Sequence, residues 1–214
     1  MRFAIALLIL PACADKEGMG SVSGSVSVPS RELSADVHWD SAFAYAEGDR
    51  LVAFLTGAVG ASCSSVAEYL GPNDGALPKE SILPGGSCAM TVVVDDWDGD
   101  LDLSWSEGDS PSYDNPGLNS NMQCWFGEGA WVKEIRGAGY EDYYWTGPVW
   151  SGVPETFDWS ISGEDKDVSL GLEMSAFGGN FLHEASVEPS TAQGDLSGTI
   201  RAKWCSALSK ATAL

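Results

Sequence analysis

Five aspartates lie within eight positions of the stretch VVVDDWDGDLDLSW, residues 92–105, which has apolar residues at both ends: Asp95, Asp96, Asp98, Asp100 and Asp102. Carboxylates this close together can bind a cation, share a catalytic proton or hydrate an exposed turn. Asp-Gly at 98–99 favours a two-residue type I′ hairpin turn. In that hairpin Asp95 would face Asp102 across the strands, which costs up to roughly 1 kcal/mol unless water or a cation separates the charges. A single continuous strand is the alternative, and it would place four aspartates on one hydrated face.

A calcium loop is a third interpretation of this stretch. From Asp96 onward, DWDGDLDLSWSE resembles the twelve-residue calcium loop of EF-hand-like sites, although Leu101 stands where that motif has glycine. The resemblance implies ligands at loop positions one, three, five, seven (through the backbone carbonyl) and twelve: Asp96, Asp98, Asp100, Asp102 and Glu107. Calcium is therefore the candidate cofactor, and the hydrated hairpin remains the competing hypothesis.

Aromatic residues form a second group with binding chemistry. Seven of the nine tryptophans lie between Trp97 and Trp159, and the densest segment is GYEDYYWTGPVWSGVPETFDW, residues 139–159. Flat rings beside carboxylates suit sugars, and rings with a polar group are also typical of protein interaction hot spots. The predicted ligand-binding residues are Tyr140, Tyr143, Tyr144, Trp145 and Trp150. The alternative is that tryptophans such as Trp131, Trp150 and Trp159 fill the core.

Catalytic motifs are missing from the sequence. It contains no G-x-S-x-G elbow, no H-E-x-x-H helix, no phosphate-cradling loop and no dinucleotide fingerprint. Its two histidines, His38 and His183, are expected at the surface. Carboxylates are so abundant that no pair of them indicates a glycosidase. The chain is therefore predicted not to be an enzyme, with a glycoside or polysaccharide hydrolase as the alternative.

The first residues, MRFAIALLILPACADKEG, have the layout of an export signal: Arg2, an apolar segment too short to cross a bilayer, and then Cys13. Leu10-Pro11-Ala12-Cys13 resembles the lipobox of bacterial lipoproteins, which implies that Cys13 is acylated and begins the mature chain. Ordinary secretion with cleavage after Ala14 is the alternative. The resemblance implies a signal peptide over 1–12, an acylated cysteine and flexible tether over 13–20, and outer-membrane attachment on the periplasmic face or the cell surface. The lipid anchor is the expected membrane contact.

Charge and cysteine content limit the partners and the compartment. Thirty-one acidic and eleven basic residues give a net charge of −20, which argues against nucleic acid as a partner. Five cysteines leave four after lipidation of Cys13, an even number typical of an oxidising compartment. Four cysteines allow three pairings, and the expected one is Cys63–Cys88 with Cys124–Cys205. No spacing indicates a zinc site.

Short β segments separated by turns predict the fold. Apolar and polar residues alternate in several of them, which favours antiparallel strands with one buried face. One short helix is expected near residues 65–70, with Ser65 and Glu68 as a capping box. The prediction is one all-β domain over 21–205, an antiparallel β-sandwich or barrel-like fold of about ten strands, followed by a tail over 206–214. The predicted strands are 22–28, 35–39, 43–46, 51–55, 90–95, 101–105, 130–135, 156–161, 168–174 and 196–205.

Two segments carry a broader resemblance. Residues 51–70 and the closing SGTIRAKWC resemble uncharacterised secreted lipoproteins of Gram-negative bacteria, and this implies no particular activity. The expected function is that of a lipid-anchored, acidic envelope lipoprotein acting as a binding module for a carbohydrate or an envelope protein, with calcium assisting. A structural envelope lipoprotein without a ligand is the main alternative.

Overall fold

The computed structural model describes residues 20–70, 87–105, 118–127, 129–136, 140–164, 166–183 and 186–210. Within these ranges, one α-helix, α1 (Cys63–Leu70), and two short 3-10 helices (Pro29–Arg31 and Ser206–Lys210) accompany the strands. None of the helices within these ranges is long and apolar enough to cross a membrane. The strands are β1 (Gly20–Val28), β2 (Leu33–Trp39), β3 (Ser41–Glu47), β4 (Arg50–Thr56), β5 (Cys88–Asp95), β6 (Asp100–Trp105), β7 (Leu118–Trp125), β8 (Trp131–Arg136), β9 (Tyr140–Trp145), β10 (Val149–Glu164), β11 (Asp167–His183) and β12 (Ser186–Trp204).

The predicted all-β, mostly antiparallel fold with one short helix is confirmed. Ten strands form one sheet in the order β11-β10-β7-β5-β4-β3-β12-β1-β2, with β6 also paired to β10. Because β11 additionally pairs with β12, the pairings form a closed circuit around the interior. The short contact between β12 and β3 is parallel. β8 and β9 form a separate two-stranded sheet.

Buried side chains form two apolar layers. The main core fills the interior of the circuit and includes Trp39, Trp150 and Trp159, each fully buried. A second layer, the outer cluster, lies on the other side of β3, β4, β5 and β7, beneath α1 and the C-terminal 3-10 helix. The central strands β4 and β5 are therefore buried on both faces, which explains why they read as continuous apolar runs (LVAFLT and AMTVVV).

The long strands differ most from the sequence prediction. β10, β11 and β12 have 16, 17 and 19 residues, well beyond the predicted segments. Glycine and proline residues near the middle of these strands predict turns there, but the strands continue through them. Pro154 lies at a register shift between β10 and β11, where the irregular pairing tolerates a proline. Two further strands, β7 and β9, are not among the predicted segments. In β7 (LNSNMQCW) polar residues interrupt the apolar ones, so its local pattern is weak.

The predicted disulfide pairing is wrong. The bonds are Cys63–Cys205 and Cys88–Cys124, not Cys63–Cys88 and Cys124–Cys205. Cys88 and Cys124 lie directly opposite each other on β5 and β7, with Cα atoms 4.0 Å apart. The cross-strand register, which no local pattern encodes, brings these two cysteines together. Cys63 is left with Cys205, which follows β12.

The predicted cap of the helix is also wrong by about one turn. α1 begins at Cys63, and Ser62 is its N-cap, because the Ser65 amide donates to Ser62 Oγ (3.3 Å) while the Ser62 amide donates to Ser65 Oγ (3.0 Å). Ser65 therefore has the reciprocal role of the third helical residue and is not the cap. At the other end of the chain, residues 206–210 of the predicted tail form the 3-10 helix, in which Leu208 is buried.

Candidate functional site

The aspartate segment connects two different parts of the sheet. β5 pairs with β4 and β7, whereas β6 pairs with β10. The predicted hairpin is therefore wrong, and so is the continuous strand, because residues 96–99 interrupt the two strands. Trp97 holds this connection in place: its side chain is buried, and its amide donates to the Asp49 carbonyl (2.6 Å). Burial of this ring outweighs the local preference of Asp-Gly for a hairpin turn.

The EF-hand-like loop does not form either. Residues 100–105 are extended and paired with β10, so Leu101 lies opposite Ile161 and does not turn a loop. The residues with positive φ in this segment are Asp96 (φ 57°) and Gly99 (φ 115°), not Leu101. The side chains of Asp96, Asp98, Asp100 and Asp102 are exposed, and Glu107 lies outside the described residues. Within the described ranges, no three His, Cys, Asp or Glu side chains are grouped so that they could hold a metal ion.

Two of the aspartates nevertheless line a cleft, which we call the acidic cleft. Its volume is about 640 Å³. The start of β6, the end of β10, the start of β11 and Arg201 of β12 meet here. The lining residues are Asp98, Gly99, Asp100, Ser162, Gly163, Glu164, Asp167, Ser169 and Arg201.

The acidic cleft carries an excess of negative charge. Arg201 is the single cation among its lining residues, and it donates to both carboxylate oxygens of Asp167. The carboxylates of Asp98, Asp100 and Glu164 share the same cleft, beside two serine hydroxyls. Such a lining can attract cations and accept hydrogen bonds from hydroxyl groups. Sequence reasoning missed Glu164, Asp167 and Arg201, because only strand pairing brings them to the aspartates.

Trp150 is not a ligand-binding residue, contrary to the sequence prediction. Its side chain is 0% exposed, its Nε1 donates to the Ser190 carbonyl (3.0 Å), and its ring meets Phe177 edge-on at 6.1 Å. Gly152 and Gly179 leave room for the ring, since a β-carbon at either would lie 2.6 Å or 2.8 Å from its Cζ2. Trp150 and Trp159 both pack in the main core, which is the alternative interpretation of the sequence.

Trp145 is partly buried and fastens the β8–β9 hairpin to the body. Its ring lies against Gly147, where a β-carbon would be 2.6 Å from its Nε1, and it packs on the outer cluster. Two further bonds close the base of the hairpin: the Thr146 amide donates to the Ala130 carbonyl (3.1 Å), and the Ala130 amide donates to Thr146 Oγ1 (2.9 Å). The hairpin therefore has an ordered base on the sheet.

The three predicted tyrosines belong to this hairpin. Tyr140, Tyr143 and Tyr144 stand in β9, opposite Arg136, Lys133 and Val132 of β8. Their side chains are outside the described part of the structure. Among the described strands, β8 and β9 pair only with each other, so each has one outer edge without a strand neighbour.

An apolar row with two exposed members crosses three neighbouring strands, beginning on the strand that follows the hairpin. Val149 of β10, Leu182 of β11 and Val187 of β12 are register partners across the three strands. Leu182 is 36% exposed and Val187 is 63% exposed. Sequence reasoning missed this row, because its members are single apolar residues from three separate strands.

Cys13, the predicted lipidation site, lies outside the described residues. Comparison of the chain with protein-family models, with curated proteins and with solved structures gave no match.

Proposed function

We propose that the chain is an exported, lipid-anchored binding module of the bacterial envelope, which contacts a protein partner through the β8–β9 hairpin. The observation that carries this proposal is the separate two-stranded sheet itself. An isolated pair of strands is only marginally stable in water, and independent stability needs a third strand or a packed face. A hairpin that is fastened at its base but, among the described strands, has no neighbour on either edge is therefore suited to receive one.

The composition of the hairpin supports a binding role. Five of its twelve strand residues are aromatic: Trp131, Tyr140, Tyr143, Tyr144 and Trp145. Tyrosine and tryptophan are enriched among residues that dominate binding energy. Val149 follows the hairpin by four residues and begins an apolar row across three strands, in which Leu182 and Val187 are exposed. A polypeptide partner suits these features best, because it can add a strand to an open edge and pack side chains on a neighbouring face.

Crosslinking from the hairpin tests this proposal. A photoreactive phenylalanine analogue at position 144, in the native cells, is expected to yield a discrete adduct with an envelope protein. The same analogue at Ser160, which is exposed on β10, is the matched control and should yield none. The purified partner should then bind the unmodified protein, and Tyr143→Ala/Tyr144→Ala should weaken its Kd at least tenfold, which is about 1.4 kcal/mol. Equal adducts from both positions, or an unchanged Kd, would rule out the hairpin as the binding element.

A carbohydrate ligand with calcium is the second candidate, and the acidic cleft favours it. The carboxylates in this cleft can accept hydrogen bonds from sugar hydroxyls, and the serine hydroxyls can donate or accept them. A divalent cation would reduce the repulsion among the carboxylates of Asp98, Asp100 and Glu164. A glycan array probed with and without calcium separates this candidate from the first. A hit that Asp98→Asn/Asp100→Asn abolishes, but Tyr143→Ala/Tyr144→Ala leaves intact, would place the ligand in the cleft. If the array gives no hit and no partner is crosslinked, the results would favour a purely structural envelope lipoprotein.

Calcium binding at the cleft predicts a change in melting temperature. With free calcium a hundredfold above its Kd, the folded state gains about 2.7 kcal/mol, so Tm should rise by roughly 5–10 °C relative to chelator. Asp98→Asn/Asp100→Asn should remove this response, whereas Asp36→Asn/Asp195→Asn, which changes two exposed acids outside the cleft, should retain it. If calcium leaves Tm unchanged and the first variant is at least as stable as the parent, the aspartates only hydrate the surface.

A further inference from the structure

Two small elements, which we call the cap, cover much of the outer cluster: α1 and the C-terminal 3-10 helix. Beneath the cap lies an apolar sheet face that contains Phe43, Val52, Phe54, Ala89, Val93 and Trp125. The cap contributes Val66 and Leu70 from α1 and Leu208 from the 3-10 helix, all of them buried. Among the described residues, this strongly apolar sheet face is therefore covered mainly by one short helix and one short 3-10 segment, with Trp145 and Val149 also packed against the outer cluster.

Neither cap element is stable by itself. An isolated helix needs roughly 12–15 residues to be marginally stable in water, and α1 has eight. The 3-10 helix has five residues and a weaker hydrogen-bond geometry. Tyr69 adds one polar contact, in which its hydroxyl donates to Gln123 Oε1 (3.0 Å), and burial raises the pKa of this hydroxyl to about 12. The cap therefore relies on packing and on its covalent bond.

The Cys63–Cys205 disulfide joins the two cap elements. Cys63 is the first residue of α1, and Cys205 directly precedes the 3-10 helix. The Cys205 amide donates to the Ala44 carbonyl (2.8 Å), which connects the bond to β3. The bond therefore holds α1 against the sheet across a sequence separation of 142 residues.

The two disulfides differ in their accessibility to a reductant. In the Cys63–Cys205 bond, Cys63 is partly exposed, whereas Cys205 is 0% exposed. Cys88 and Cys124 are 1% and 0% exposed, because they lie in the main core between β5 and β7. A thiolate must reach a sulfur atom to reduce a disulfide, so access favours attack at Cys63.

We propose that Cys63–Cys205 is a redox-sensitive latch, whose reduction by a dithiol protein releases the cap and uncovers the outer sheet face. One thiolate of the dithiol attacks Sγ of Cys63, and Cys205 leaves as a thiolate that takes up a proton. The second thiol of the reductant, as a thiolate, then attacks the mixed disulfide and frees Cys63. Two electrons and two protons pass to the protein, and the reductant becomes a disulfide. The closed circuit of strands, with Cys88–Cys124 inside it, keeps its fold.

Graded reduction of the purified full-length protein tests the latch. Samples are equilibrated with increasing dithiothreitol, alkylated under native conditions and mapped by peptide mass, while hydrogen exchange is measured in parallel. We expect Cys63 and Cys205 to be alkylated at a dithiothreitol concentration at least about tenfold below that needed for Cys88 and Cys124. Under that condition, amide exchange in residues 63–70 and 206–210 should accelerate at least about tenfold, and exchange in β10–β12 should not change.

A double variant provides the control without reductant. Cys63→Ala/Cys205→Ala should show the same local acceleration of exchange in air, together with increased binding of a hydrophobic dye. Simultaneous alkylation of all four cysteines would overturn the proposal, because it would mean that reduction requires global unfolding. Selective reduction with unchanged exchange in the cap would overturn it as well. The parent protein at low dithiothreitol distinguishes these outcomes even if the variant does not fold.

Discussion

Replacement of Trp150 by alanine will lower the free energy of unfolding by about 3–5 kcal/mol, the range observed when a large aromatic side chain is removed from a core. The substitution removes a fully buried ring, its edge-on contact with Phe177 and the hydrogen bond from Nε1 to the Ser190 carbonyl. Collapse around the cavity should be limited, because Gly152 and Gly179 beside the ring have no side chains to fill it. Chemical denaturation followed by circular dichroism measures this loss.

Two comparisons separate packing from ligand binding at this position. Trp150→Phe retains a ring but leaves the Ser190 carbonyl without the indole donor, so its cost should be smaller, about 1–3 kcal/mol. Val187→Ala changes an apolar residue of the same three-stranded region that is 63% exposed, and it should cost less than about 1 kcal/mol. If Trp150→Ala leaves the stability unchanged but abolishes ligand binding, Trp150 is a ligand-binding residue and its role in the core is refuted.

Loss of the Cys88–Cys124 bond should be the second large effect. The bond spans 36 residues, and the chain-entropy relation then gives a loss of roughly 4 kcal/mol for Cys88→Ala/Cys124→Ala. Both cysteines are buried in the main core, so their replacement by alanine also removes apolar contacts. Urea denaturation against the parent protein measures the effect.

A thiol count on the same variant tests the pairing itself. With Cys63 bonded to Cys205, the unfolded Cys88→Ala/Cys124→Ala protein should contain no free thiol apart from any contributed by Cys13. Under the pairing expected from sequence, Cys63 and Cys205 would both have lost their partners and would contribute two. Cys63→Ala/Cys205→Ala is the reciprocal control and should also contribute none. Two additional thiols in either variant would contradict the cross-strand pairing.

Local pattern is sufficient for much of the fold. Alternation in SVSGSVSV predicts β1, and the apolar run LVAFL predicts β4, because strand residues point to alternate faces and a strand buried on both faces must be apolar throughout. A short helix near residue 65 is also predicted, although the serine that caps it is Ser62 and not Ser65. These features depend on residues within a few positions of one another, and one sequence contains them directly.

Local sequence pattern does not predict which strands pair when two strands, here β6 and β7, could both pair with β5. Asp98-Gly99 predicts a hairpin, and LDLSW could pair with β5, but its backbone pairs with β10 instead. Backbone hydrogen-bond groups are the same in every strand, so pairing is decided by which side chains can be buried together. Burial of Trp97 and the hydrogen bond from the Gly163 amide to the Gly99 carbonyl (2.8 Å) outweigh the turn preference.

The sequence by itself determined that this chain is an acidic all-β protein with one short helix and cysteines enough for two disulfides, because charge, alternation and cysteine number are properties of the residues alone. Only the tertiary structure decided that Cys88 meets Cys124, that Trp150 is buried, and that Glu164, Asp167 and Arg201 join Asp98 in one cleft. It also decided that β8 and β9 form a sheet of their own. These facts depend on register between segments distant in the chain, and register follows from the packing of the whole core.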